Sequence, residues 1–136
     1  MSQMEQDPVA LWATMPFAAT LGAELLDATP EAVRARVEWD DSRCTAGGVL
    51  HGGVLMALAD SVGALCAFLN LPPGATGTTT VESKTNFLRA VRRGAVIATA
   101  RPLHAGSRFV VVETDALDDG DRRVARTTQT QAVLMP

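Results

Sequence analysis

The sequence predicts an α+β fold in which a curved antiparallel sheet wraps around one long central helix. The helix is predicted by Gly52–Asn70, a run of apolar and small residues that contains a single charged residue, Asp60. The sheet is predicted by alternating apolar and charged side chains over residues 33–39 and by a second half rich in threonine and valine. A helix that is apolar on nearly all sides needs cover from several directions, which a curved sheet and a second subunit would supply.

The individual elements follow from local signals along the chain. Asp7-Pro8 is a typical N-cap and first-turn pair, and it predicts a short helix that ends near Thr14. The central helix is expected to begin at Gly52 or Gly53 and to end near Leu69, before a Pro-Pro-Gly sequence. Strands are predicted at residues 22–28, 33–39, 77–88, 95–103, 108–117 and 123–134. Because the connections after the helix are short, we expect the last four strands to form an antiparallel meander, with a hairpin turn at 118–120.

Length, composition and charge restrict the class of protein. The 136 residues suit a single domain, and 47% hydrophobic with 20% charged residues is typical of a soluble globular chain. The net charge of −3 gives no support to nucleic-acid binding. The apolar run is interrupted by Asp60 and Asn70, so we expect a buried helix and no membrane span. Without a recognisable secretion signal, we expect a cytoplasmic protein with Cys44 and Cys66 reduced.

Chemistry is indicated by the tripeptide His51-Gly52-Gly53 at the start of the long helix and by Asp60 within it. A helix that opens with glycines offers free N–H groups that can stabilise a developing oxyanion, and its dipole favours negative charge there. A carboxylate in an apolar run is unfavourable unless it is paired or has a catalytic task. An oxyanion site and a carboxylate on one segment predict an enzyme, and the reaction that they favour is thioester hydrolysis.

The spacing of these groups has a consequence for assembly. At 1.5 Å per residue, Gly52 and Asp60 lie roughly 12 Å apart along the helix, whereas reacting atoms must approach within about 3–3.5 Å. A carbonyl bound at Gly52 can therefore be reached only by Asp60 of a partner subunit. Two antiparallel copies of the helix related by a twofold axis would bring these groups together, so we expect a homo-oligomer, either a dimer or a dimer of dimers.

Structural interpretations of the same residues stay open at this point. Gly52 and Gly53 could serve only close helix packing, Asp60 could pair with an arginine at an interface, and His51 could be an interior histidine. Cys44 is a weaker candidate nucleophile because no histidine stands at a recognisable spacing from it. No spacing of cysteine and histidine indicates a metal site, and we expect no cofactor.

The segments Leu50–Val54 and Leu58–Ser61 together resemble the signature of the hotdog-fold acyl-CoA thioesterases. The subgroup most similar is the PaaI type, which is related to the phenylacetyl-CoA and 4-hydroxybenzoyl-CoA thioesterases. Val81–Arg89 resembles the strand that follows in that family, and the likeness covers roughly residues 19–134. The resemblance implies that residues 19–136 form one hotdog domain, preceded by an N-terminal segment, residues 1–18, with a short helix.

The resemblance also implies roles for individual residues. The Gly52 N–H would polarise the thioester carbonyl, Asp60 of the other subunit would act as nucleophile or general base, and His51 would position the thioester. Thr80 would hold the attacking water. Substrate contacts are expected from Gly53, Thr45, Ser61, Arg89 and Arg108, of which the two arginines would bind the phosphates of coenzyme A.

Two features concern the substrate and the rival functions. An apolar pocket drawing on Leu55, Leu58, Phe68 and Trp12 would suit a medium-chain or aryl acyl group.

Thr45 stands where many relatives have Asn or Gln, and a hydroxyl cannot replace an amide that is both donor and acceptor. A non-catalytic acyl-CoA-binding or regulatory dimer is therefore the alternative function, and a dehydratase on the same fold is a third.

Overall fold

The computed structural model describes residues 7–136 and confirms the α+β class, with one long helix against a single six-stranded sheet. Most element boundaries lie within two residues of those predicted. The helices are α1 Pro8–Ala13, α2 Pro16–Leu21 and α3 Gly52–Leu69, and the strands are β1 Glu24–Ala28, β2 Val33–Glu38, β3 Gly77–Phe87, β4 Ala95–Ala105, β5 Phe109–Leu117 and β6 Arg123–Leu134.

The strand order differs from the expected meander. The strands run β1-β2-β4-β5-β6-β3, and every neighbouring pair is antiparallel. Only β4, β5 and β6 form a meander, while β3 pairs with β6 at the far edge and β4 pairs with β2. The segment after β3 does not turn back on that strand, because it crosses the start of α3, where the Leu50 N–H donates to the Val91 carbonyl at 2.8 Å.

The core lies between α3 and the face of the sheet that it covers. Alternation in β2 is as predicted, with Val33, Ala35 and Val37 fully buried. On α3 the buried side chains include Leu58 and Val62, which contact the valines of the central strands. By length and composition α3 could cross a membrane, but half of it is buried in this fold, and core helices of soluble proteins meet the same criterion.

The N-terminal part packs on the central helix through α1 and α2. The Asp7 carboxylate accepts from the Val9 N–H at 3.0 Å, so the predicted N-cap of α1 is confirmed. Helix α2 was not predicted, although Pro16 at its first position is a helix-start signal. The division at residue 18 stays a prediction, and the part of that segment before residue 7 lies outside the described residues.

Strand β3 forms one exposed edge of the sheet. This edge lies next to the side of α3 that carries Asp60. Along β3 and just beyond it, three large apolar side chains are 52–57% exposed in a single chain: Val81, Phe87 and Leu88. The pairing of β3 with β6 is interrupted by a bulge at Val81, after which Glu82 pairs with Thr130. A long edge strand with exposed apolar residues is a surface suited to another chain.

Candidate functional site

The start of α3 combines a capping histidine with a free main-chain amide. His51 is the N-cap, and its Nδ1 accepts a hydrogen bond of 2.8 Å from the Gly53 N–H. An Nδ1 that accepts is unprotonated, which leaves the Nε2–H of the exposed ring available to a ligand. The Gly52 N–H has no acceptor among residues 7–136. The oxyanion donor predicted at this helix start is therefore the Gly52 amide, because that of Gly53 is already engaged.

Glycine at position 52 has a clear steric reason. A Cβ there would lie 3.1 Å from two ring carbons of Phe87, so the ring covers the helix start closely. Beside it is a cleft of about 410 Å³, lined by Thr45, Val49, Leu50, Gly52, Leu55, Phe87, Leu88, Arg89, Ala90 and Val91. The structure thus brings the predicted residues Thr45 and Arg89 to the Gly52 amide.

Asp60 lies two turns further along α3 and is held by polar side chains of the sheet. Its Oδ1 accepts from the Thr80 hydroxyl at 3.1 Å and from Gln129 Nε2 at 3.4 Å. The Thr80 hydroxyl in turn accepts from Gln131 Nε2 at 2.6 Å. Asp60 is exposed in a single chain, on the side of the helix that also exposes Gly53 and Met56. The structure thus brings two of the predicted site residues, Asp60 and Thr80, within hydrogen-bonding distance.

The sequence did not reveal the two glutamines beneath Asp60. Gln129 and Gln131 lie on β6 and are each 1% exposed. The available signal was the alternation Thr127, Gln129, Gln131, which places three polar residues on the buried face of one strand. Buried polar side chains at positions that usually hold apolar residues point to a site.

Two predicted substrate contacts lie away from the helix start. Ser61 is buried, its hydroxyl donates to the Ala57 carbonyl at 2.8 Å, and it does not line the cleft beside Gly52. Arg108 is exposed between β4 and β5, where its carbonyl accepts from the Val133 N–H. Val133 pairs with Thr78, so Arg108 belongs to the Asp60 end of the sheet and not to the Gly52 end.

The thiols are poor candidates for the nucleophile. Partial desolvation and the charges of Asp41 and Asp40 raise the pKa of Cys44, and burial raises the pKa of Cys66 to about 11. Both shifts lower the thiolate population at neutral pH. Neither thiol is therefore activated as a nucleophile, and Asp60 stays the predicted nucleophile or base.

Comparison with known proteins identifies the family. The profile of the Thioesterase superfamily matches residues 47–125, which contain the helix start, Asp60, Thr80 and the β3 edge. The Mycobacterium tuberculosis protein Rv1847 is 34% identical over 128 residues, covering 93% of this chain and 91% of its own length. Its structure superimposes with a TM-score of 0.86, covering 90% of this chain and 98% of that chain at 32% identity.

Two further similar proteins have names that describe a reaction. The 1,4-dihydroxy-2-naphthoyl-CoA hydrolase of Escherichia coli is 33% identical over 87 residues, or 64% of this chain and 63% of that protein. The structure of thioesterase HI1161 from Haemophilus influenzae has a TM-score of 0.87 and 27% identity, covering 95% of this chain and 91% of the other. These matches confirm the hotdog thioesterase family, whereas the PaaI subgroup stays a prediction.

Proposed function

Because this chain belongs to the thioesterase superfamily, whose members named above include a CoA thioester hydrolase, we propose that it is a cytoplasmic acyl-CoA thioesterase. It hydrolyses the thioester of a medium-chain or aryl acyl-CoA to the free acid and coenzyme A, without a further cofactor. The observation that carries this proposal is the pairing of a free Gly52 amide at the start of α3 with an exposed, hydrogen-bonded Asp60 carboxylate on the same helix.

The active site is composite and forms in a homodimer. Gly52 and Asp60 of one chain are separated by roughly 12 Å along α3, too far to act on one carbonyl. The edge strand β3, with Val81, Phe87 and Leu88 exposed, supports a twofold contact in which two sheets meet beside antiparallel α3 helices. Each site then combines Gly52 of one protomer with Asp60 of its partner, and two such dimers could further associate.

The chemistry follows from these placements. The thioester carbonyl oxygen accepts from the Gly52 N–H, which stabilises the negative charge of the tetrahedral intermediate. The Asp60 carboxylate either attacks the carbonyl carbon, giving an anhydride that water then cleaves, or takes a proton from a water that attacks. In both routes the C–S bond breaks, and coenzyme A leaves as a thiolate that is then protonated. His51 Nε2 orients the thioester.

Two surfaces support the substrate class. Arg89, beside the Gly52 cleft, is the first candidate for the phosphates of coenzyme A, and Arg108 of the partner approaches from the Asp60 end.

A pocket of about 280 Å³ one turn beyond Asp60 suits the acyl group, since a 150 Å³ cavity already admits a benzene ring. It is lined by Leu11, Thr14, Met15, Ala64, Leu65, Phe68, Gly77 and Thr78. Of the residues expected for this pocket, only Phe68 lines it, while Leu58 is in the core.

The test is a thiol-release assay over short, medium, long and aromatic acyl-CoAs, with wild type and Asp60→Asn measured side by side. We expect turnover on medium-chain or aryl substrates and a loss of about 10²-fold or more in the variant. Glu31→Gln, which removes another exposed carboxylate, is the control and should match wild type. Near-normal turnover in Asp60→Asn would contradict the proposal.

A second candidate function is non-catalytic acyl-CoA binding. The observation that favours it is Thr45, which lines the Gly52 cleft with a short hydroxyl in place of an amide side chain. Tight binding of acyl-CoA in a calorimetric titration, with no hydrolysis of any substrate in the panel, would favour this function over hydrolysis.

A further inference from the structure

We propose that Gln129 and Gln131 are positioning residues that hold one oxygen of the Asp60 carboxylate and leave the other free to react. This inference rests on the proposed function, because it assigns a task to side chains that act through Asp60. It concerns a chain of hydrogen bonds that runs from the buried face of β6, through Thr80 on β3, to the exposed side of α3.

The first link fixes the direction of the Thr80 hydroxyl. Gln131 Nε2 donates to Thr80 Oγ1 at 2.6 Å, and an amide nitrogen can only donate. Thr80 has one hydroxyl proton, and its oxygen already accepts from Gln131. That proton therefore goes to Asp60 Oδ1, which lies 3.1 Å away. Gln131 thus converts a rotatable hydroxyl into a donor aimed at the carboxylate.

The β3–β6 register puts these two side chains together. Thr80 and Gln131 are directly opposed, and the bulge at Val81 follows at once, so Glu82 pairs with Thr130. Bulges occur often beside active sites, where the extra residue changes the direction of a side chain. Thr80 is accordingly the last residue of β3 before the register shifts.

The second link is Gln129, whose amide orientation is set by its neighbours. Its Nε2 lies 3.4 Å from Asp60 Oδ1, which as a carboxylate oxygen requires a donor. Its Oε1 is buried with no partner among residues 7–136 and faces Gly63. A Cβ at position 63 would clash with this amide, so glycine on α3 provides the space that Gln129 occupies. An unpaired buried acceptor lowers the free energy of unfolding. The presence of Gln129 is therefore explained by its hydrogen bond to Asp60 and not by a contribution to folding stability.

The two carboxylate oxygens of Asp60 are therefore unequal. Oδ1 accepts from both Thr80 and Gln129, whereas Oδ2 has no donor among the described residues. A carboxylate fixed by donors on one oxygen keeps a constant orientation toward a partner's Gly52 amide. The geometry points to Oδ2 as the oxygen that attacks the thioester carbon or takes the proton of water.

The test uses Gln131→Met and Gln129→Met, which keep the size of the side chain and remove its donor. Each should lower kcat about tenfold, because the Asp60 carboxylate is then less firmly oriented toward the thioester, with KM unchanged. Thr114→Val is the matched control, because Thr114 is also buried in the sheet and its hydroxyl has no partner among residues 7–136. It should leave kcat unchanged. Wild-type kcat in both methionine variants would overturn the proposal.

A double-mutant comparison separates positioning from a general structural effect. If Gln131 acts through the Thr80 hydroxyl, Gln131→Met should cause little further loss of kcat in a Thr80→Val background. An equal loss in both backgrounds, or a change confined to KM, would overturn the proposal. If Gln131→Met does not fold, Gln131→Asn is the alternative variant, because it keeps a buried amide that is one methylene too short to reach Thr80. It should show the same loss of kcat, and wild-type kcat in Gln131→Asn would also overturn the proposal.

Gly63→Ala provides an independent variant, since its Cβ displaces the Gln129 amide and removes no side chain of the site. It should lower kcat as Gln129→Met does, and wild-type kcat in this variant would count against a role for Gln129.

Failure of the positioning role can be distinguished from failure of the proposed function. If Asp60→Asn abolishes turnover while the glutamine variants match wild type, only the positioning role is lost; if Asp60→Asn is active, the thioesterase mechanism itself fails.

Discussion

The Nδ1 atom of His51 accepts the main-chain N–H of Gly53 at 2.8 Å, so the residue that caps α3 directly precedes the candidate oxyanion donor, the Gly52 N–H. This contact gives His51 two separable tasks. His51→Ala removes the cap and should lower the free energy of unfolding by about 1 kcal/mol, together with turnover. His51→Asn keeps an acceptor for Gly53 but lacks the Nε2–H, so stability should be retained while turnover falls. Chemical denaturation and thiol release measured on both variants check this; equal turnover in wild type and His51→Asn would exclude a role for Nε2.

Gly52 can be tested by removing its N–H without breaking the helix. Proline is tolerated at the first helical position, and His51 at φ −62°, ψ 134° already has the extended conformation that precedes proline. Gly52→Pro should lower kcat by about 10²-fold, as for other lost oxyanion donors. Gly52→Ala is the control, because it adds a Cβ against Phe87 but keeps the amide. If the two variants lose the same activity, crowding of Phe87 and not the lost donor is responsible.

Thr114 offers a stabilising substitution far from the chemistry. It is 1% exposed on β5, and its hydroxyl has no hydrogen-bond partner within residues 7–136. Valine has the same shape and removes the unsatisfied group, so Thr114→Val should raise the free energy of unfolding by about 1 kcal/mol. Thermal unfolding at equal protein concentration measures this, and a lower Tm than wild type would contradict it.

Asp115 makes folding stability depend on acidic pH. Arg126 binds its carboxylate through two hydrogen bonds of 2.8 and 3.1 Å, and these, with the charge of Arg123, lower the pKa of Asp115 from its ordinary 3.8. A lowered folded-state pKa stabilises the protein above pH 3.8, and this contribution is lost as the pH falls further. Asp115→Asn should therefore reduce Tm at pH 7 by about 4 °C. The difference from wild type should shrink below pH 3.8; a constant difference at every pH would contradict the assignment.

The sequence was informative where local chemistry decides the structure. Three elements were predicted from local signals of this kind. The capping pair Asp7-Pro8 predicted α1, the length of the apolar run 52–69 predicted α3, and the turn preference of residues 118–120 predicted the hairpin between β5 and β6. The place of β3 was predicted wrongly, because short connections favour a meander but cannot reveal that residues 88–94 cross the start of α3.

The candidate site was predictable only in part, for a related reason. His51, Gly52 and Asp60 lie in one segment with a recognisable spacing, whereas Gln129 and Gln131 reach Asp60 only through the pairing of β6 with β3. Ser61 shows that closeness in sequence to Asp60 does not bring a side chain to the same face of the helix. It is adjacent to Asp60 in sequence, but helix geometry turns its side chain away from the exposed face, and its hydroxyl bonds to Ala57.

The central claim is that Gly52 and Asp60 act on one thioester from opposite subunits, and complementation between two inactive variants tests it most directly. Asp60→Asn and Gly52→Pro would be unfolded together, refolded as a mixture and assayed for thiol release. In a twofold dimer, half of the mixed population is heterodimeric and each heterodimer has one intact site, so about a quarter of wild-type activity should return. If both groups of a site come from the same chain, every site carries a defect and the mixture should stay as inactive as the separate variants.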